Sequence, residues 1–147
     1  MIPTICLRRV LHEAVITPYR NLVTRATGAA VRGRIEAALE RLGCEVAVLD
    51  FSGVEILDFS CADEIVAKLV LPAARPSRPV VLLGVRDEQR EALDHVLAHH
   101  GVAVTARLHE SGEPVLLGAA TPDLHEAFAA LRARGAALDD FARLPIS

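Results

Sequence analysis

The sequence predicts an α/β fold for residues 1–147 as one domain, a mixed sheet with a parallel strand–helix–strand core and helices packed against it. Three observations carry that expectation. The run Glu45-Val46-Ala47-Val48-Leu49-Asp50-Phe51, bounded by Gly43 and Gly53, is largely apolar at consecutive positions, as a strand buried on both faces is. Pro79-Val80-Val81-Leu82-Leu83-Gly84-Val85 has the same character. Between them, over 60–71, Ala62, Ile65, Val66, Leu69 and Val70 fall at helical spacing, and Glu64 stands four residues before Lys68. Strand, helix, strand implies a parallel pair joined by a right-handed crossover.

The remaining elements follow in order. Thr4–Arg9 and Glu13–Thr17 are strand candidates. Thr24–Leu42 carries Val31, Ile35, Ala38, Leu39 and Leu42 along one stripe with Arg25, Arg32, Arg34 and Arg41 off it, an amphipathic helix. Arg75–Pro79 is a turn-rich connector. Asp87 is placed as the N-cap of a helix whose Leu93, Val96, Leu97 and His100 share a side, with Gly101 as its stop. Val102–Arg107 alternates apolar and polar residues, which suggests an edge strand. Pro114–Ala119 is a short apolar run; Thr121-Pro122-Asp123 then opens a helix through Leu124, Phe128 and Leu131. Gly135 breaks it before a last stripe of Leu138, Phe141 and Leu144. This divides the chain into a core over 1–110 and a C-terminal helical extension over 111–147.

Composition narrows the function. A hydrophobic fraction of 52% with four Phe, one Tyr and no Trp describes an aliphatic core without stacking platforms for single-stranded nucleic acid. The net charge of −3 gives no attraction to phosphate backbones or anionic membranes. Cys6, Cys44 and Cys61 are odd in number and widely spaced, so neither a disulfide framework nor a zinc site is indicated. No apolar run approaches the roughly 20 residues of a membrane span, and no signal-peptide layout is present. A cytoplasmic protein with a protein or small-molecule partner is expected, with no nucleic acid, membrane, metal or cofactor.

The most informative segment runs from Asp50 to Glu64. A buried strand ends at Phe51, an extended link passes through Gly53 to Leu57, and a helix begins at Ser60 with Asp63 and Glu64 in its first turn. Ser60 reads as the N-cap, Ser60-x-x-Asp63 approximates a capping box, and the two acids oppose the positive end of the helix dipole, worth about 0.3–1 kcal/mol each. Asp50-Phe51-Ser52-Gly53-Val54 followed by Ile56-Leu57-Asp58-Phe59-Ser60 also resembles the STAS domain signature of bacterial anti-sigma-factor antagonists. It is most similar to STAS-like domains of unknown function that pair Asp-Phe-x-Gly-Val with a downstream Ala-Asp-Glu, here Ala62-Asp63-Glu64. The resemblance covers about Val46–Leu71, with a looser match around Thr24 and Arg25. It implies a STAS-like fold and makes Ser60 a candidate phosphorylation site and Asp58 the motif aspartate. Phe59 and Cys61-Ala62-Asp63 depart from the usual serine and glycine-rich positions, and Asp58, Asp63 and Glu64 would repel a phosphate on Ser60.

Other candidate chemistry is sparser. His95 and His99 are four apart, as metal-binding pairs are, with His100, His109 and His125 as further ligands, but no acid or cysteine completes a known spacing. Histidines near a helix C-terminus also simply complement its dipole. No phosphate loop or dinucleotide fingerprint exists, and Ser60 lacks the Gly-x-Ser-x-Gly of a hydrolase elbow. Cys61 sits where a helix N-terminus lowers a thiol pKa while neighbouring acids raise it, and packing is its simpler role. Thr24 and Arg25 are candidates to anchor an anionic ligand or partner.

The expected function is therefore a non-catalytic regulatory or adaptor domain. Its partner-binding surface is formed by Asp58, Phe59, Ser60, Cys61, Asp63 and Glu64, with Ser60 as the regulatory position. The family resemblance implies a kinase or anti-sigma factor as partner and is compatible with a homodimer. The alternatives are a small hydrolase or transferase with Ser60 or Cys61 as nucleophile, and a nucleotide or small-ligand sensor.

Overall fold

The computed structural model describes residues 4–6, 9–10, 21–71 and 78–144. Five strands form one mixed sheet in the order β1 (Thr4–Cys6), β3 (Ala47–Asp50), β5 (Val80–Val85), β6 (Ala103–Leu108) and β7 (Pro114–Gly118). The first four run parallel, with Ile5 opposite Leu49, Leu49 opposite Leu82 and Leu82 opposite Ala106, and β7 pairs antiparallel with β6. A separate two-stranded parallel pair joins β2 (Asn21–Leu22) to β4 (Ile56–Leu57). The strand candidate at Glu13–Thr17 lies outside the described residues, as does most of the connector before Arg78.

Successive parallel strands step across the sheet in one direction. Right-handed crossovers then place every connecting helix on the same face. These helices are α1 (Arg25–Leu42), α2 over 59–70 and α3 (Asp87–His99). Their apolar stripes, including Val31, Ile35, Leu39, Ile65, Leu93 and Leu97, meet the inward residues Ala47, Leu49, Phe51, Leu82 and Val104 in one continuous core. Because strand order never reverses, no crevice opens at a switch point of the kind that holds ligands in doubly wound sheets. The opposite face is covered by α4 (Pro122–Ala133) and α5 (Leu138–Ala142), through Val46, Val48, Val81 and Ala142 and through Phe128, Ala136 and Phe141.

Helix ends follow the local sequence in most places. Gly43 closes α1 in the left-handed conformation at φ 63°. Thr121 caps α4 by accepting the Leu124 N–H at 3.2 Å, with Pro122 in its first turn. Asp87, expected as the cap of α3, is instead its first helical residue. The buried Gln89 side chain accepts the Arg86 N–H at 3.0 Å and donates to the Val54 carbonyl at 2.9 Å, fixing both the helix start and the 51–54 turn.

Two expectations about the second half need correction. β6 is not an edge strand: it lies between β5 and β7, and its polar Thr105 is buried against the C-terminal helices. The segment from 111, expected as a helical extension, opens with β7, which completes the sheet before any helix forms. The Ala119 N–H donates to Val102 and the Leu108 N–H to Glu113, so odd-numbered residues of β7 face β6 and Pro114, Leu116 and Gly118 face outward. Pro114 has no N–H, and the Gly118 N–H is held by Asp94 Oδ1 at 2.7 Å. Among the described residues, the outer edge of β7 thus offers a single free donor, at Leu116.

Candidate functional site

The helix α2 is irregular where the sequence is most distinctive. A first turn at Phe59–Ala62 widens into a π turn at Asp63–Ala67 before the α-helical Lys68–Val70, with the Lys68 N–H reaching back to the Asp63 carbonyl. Single π turns cost regular hydrogen bonding and cluster at functional positions. This one holds the two acids and presents them towards α1 and the end of α3.

Asp58, not Ser60, caps the helix: it has the extended backbone of a cap and its carboxylate accepts from the third residue on, whereas Ser60 is already helical. Its Oδ1 accepts the Cys61 N–H at 2.8 Å and its Oδ2 accepts the Thr24 N–H at 2.9 Å. One carboxylate therefore secures the starts of two helices. Thr24 has φ 71° and ψ 142°, a conformation that costs a β-branched residue about 1–3 kcal/mol. Three contacts offset that strain: the Asp58 bond, the Thr24 Oγ1 acceptance of the Thr27 N–H at 3.3 Å, and the Cys61 thiol donating to the Thr24 carbonyl at 3.0 Å.

Cys61 is fully buried, and burial, reinforced by the charge of Asp58 and its hydrogen bond, pushes its thiol up to about 12. It is a neutral thiol at physiological pH. It packs against Gly28 of α1, where an added Cβ would stand 3.0 Å from the Glu64 Cβ and 3.1 Å from the Cys61 Cα. A side chain at position 28 would hold the two helices apart.

The acids of the π turn are consumed by internal pairs. Glu64, 4% exposed, accepts from Arg25 at 2.8 Å, from Lys68 at 2.7 Å and from Arg32 at 3.2 Å. Desolvation favours its neutral form, but the bonds from Lys68 and Arg25 and the neighbouring positive charges outweigh it and hold its pKa below the ordinary value. Asp63 behaves alike: burial raises it, while the bonds to Arg25 at 2.9 Å and His100 Nε2 at 2.7 Å bring it down. Asp63 and Glu64 in turn raise the Arg25 guanidinium above its usual value. The expected capping box between Ser60 and Asp63 does not form, since Asp63 points at Arg25 and His100 instead.

The structure thus brings together Thr24, Arg25, Asp58, Cys61, Asp63 and Glu64, all anticipated as site residues, and adds Arg32, Lys68, His100 and Gly28. Ser60 is half-buried in the first turn, and its hydroxyl makes no hydrogen bond among the described residues. Phe59 is 49% exposed and Ile56 52% exposed, and the Phe59 ring lies 5.1 Å from that of His95. Only the Glu64–Lys68 spacing hinted at the network. Arg32 repeats Arg25 two turns on along α1, a periodicity that puts both on one face of the helix without saying what that face meets.

Among the described residues, no group of three or more His, Cys, Asp or Glu is arranged to hold a metal ion, and no helix is long and apolar enough to cross a membrane. No family model, no curated protein and no solved structure matches the chain.

Proposed function

We propose that the protein is a non-catalytic regulatory adaptor that binds a protein partner at the junction of β4, the start of α2 and α3. The observation that carries this reading is the exposure of Ile56 and Phe59 on either side of Asp58, a residue that two helix starts hold rigid. Large exposed side chains on a fixed scaffold suit recognition. The acids beside them, expected as contacts, are engaged internally, which moves the proposed contact surface from the whole of 58–64 to Ile56, Phe59 and Ser60.

Against a nucleophile stands the chemistry of the same residues. Cys61 is a buried, neutral thiol, and no histidine is hydrogen-bonded to Ser60 among the described residues. The resemblance to anti-sigma-factor antagonists supports a regulatory role for Ser60 and a kinase or anti-sigma factor as partner. Ser60 precedes Asp63 and Glu64 by one turn, so a phosphate carrying about −1.5 to −2 charges would compete with both for Arg25.

A pull-down from the native host with the wild type, Phe59→Ala and Ser60→Asp tests the reading. The wild type should retain a partner that Phe59→Ala loses and Ser60→Asp binds with altered strength. Failure of every form to retain one would remove the adaptor reading, and intact-mass measurement of host-derived protein would detect phosphate on Ser60.

A further inference from the structure

We infer that the partner engages this surface through a basic amphipathic helix; the inference rests on the adaptor reading and specifies its ligand. Ile56 and Phe59 supply two adjacent apolar anchors, and the His95 ring against Phe59 marks where α3 borders them. On α3, Glu88, Glu91 and His95 fall on one exposed ridge, at positions that helical periodicity brings into line. Glu88 and Glu91 make no ion pair among the described residues, unlike Asp87, which faces Arg90 at 3.4 Å. Arg25, at the start of α1, has its charge taken up by Asp63 and Glu64. The surface therefore presents apolar anchors flanked by uncompensated negative charge, and a ligand that complements it carries apolar residues beside Lys or Arg.

Two features select the form of the ligand. A second copy of this chain would bring Glu88 and Glu91 against their own like charges about a two-fold axis, which disfavours self-association here. Addition of a strand is the other common mode, but β4, the strand at this surface, is only two residues long, Ile56–Leu57, and already pairs with β2. A helix recognised through its side chains needs neither, and presents apolar anchors at a spacing of three or four with basic residues alongside.

The probe is an 18-residue amphipathic peptide with leucines at helical spacing and lysines flanking them, compared with the same peptide carrying glutamates for lysines. Fluorescence anisotropy should show saturable binding of the lysine peptide only, weakening as salt rises. Phe59→Ala and the Glu88→Lys/Glu91→Lys double variant should each weaken it by about tenfold or more, with circular dichroism unchanged because all three side chains are exposed. Absence of binding, equal binding of the glutamate peptide, or binding that these substitutions leave unaltered would overturn the inference. A host pull-down that still depends on Phe59 while the peptide fails would leave the adaptor reading standing and remove only the helix; loss of both would remove both.

Discussion

The two faces of the sheet are held by different means. On one, three crossover helices share a continuous aliphatic core that includes Ile35, Leu49, Leu82 and Leu93, and a cluster of charges binds the start of α1 to the π turn of α2. On the other, α4 and α5 cover the sheet through two small groups of side chains, and the Phe128 and Phe141 rings meet 5.4 Å apart. The crossover face is where sequence-distant segments are joined by buried polar groups. The C-terminal face follows the sheet in the chain and is held by two small apolar groups and by exposed ion pairs of Arg132 with Glu113 and Arg134 with Asp140 that contribute little, so the first should set global stability and the second should open locally.

The strongest way to break this contrast is to hollow each face. Leu93→Ala, fully buried on the crossover face, should lower the unfolding free energy by about 3–4 kcal/mol in one cooperative denaturant transition. Native-state hydrogen exchange should place the amides of α5 a few kcal/mol below those of β3 and β5. Equal protection of α5 and the central strands would dissolve the distinction.

Glu64→Gln should cost about 3 kcal/mol at neutral pH, because three cations lose their shared buried partner. The pH dependence has a fixed sign. The folded-state pKa of Glu64 lies below the ordinary 4.5, so its charged form stabilises the fold fully above that value and the contribution fades as pH falls through the folded-state pKa. The gap between wild type and variant, from urea unfolding over a pH series, should be constant above 4.5 and close below it. A gap that persists undiminished in acid would mean that shape rather than charge holds the junction.

A finer comparison lies within α1. Gly28→Ala should destabilise by about 1–2 kcal/mol, because the steric cost against Glu64 and Cys61 exceeds the gain in helix propensity. Gly33 meets nothing within 4 Å, so Gly33→Ala should stabilise by up to about 1 kcal/mol. Thermal melts of the two variants, moving in opposite directions, would confirm that close approach and not helix propensity explains Gly28.

Much of the α/β architecture was legible because its signals are local. Val46–Leu49 and Val80–Val85 are apolar at consecutive positions, and the stripe from Ala62 to Val70 marks a helix whatever its detailed hydrogen bonding. The misreadings arose where tertiary context overrules a local rule. Ser60 is a good cap by type, but Asp58 has a second donor at Thr24, 34 residues away, and that bond draws it into the capping position. Thr105 looked like the polar side of an edge strand until α5 covered it. The pairing of Arg32 and His100 with the acids depends on how α1 and α3 lie against a π turn, and residue spacing along one element does not reveal that.

The carboxylate of Asp58 has a consequence for the route by which the chain folds. It bonds Thr24 on one side and Cys61 on the other, so the strained entry to α1 is held only after a loop of about this length has closed, at an entropic cost that grows slowly with its size. The cap of α2 is local, but the start of α1 cannot be completed from local sequence alone. The nucleus that joins the two helix starts should therefore form in one step with the β2–β4 pairing immediately before them, and substitutions at Asp58 should slow folding more than they speed unfolding.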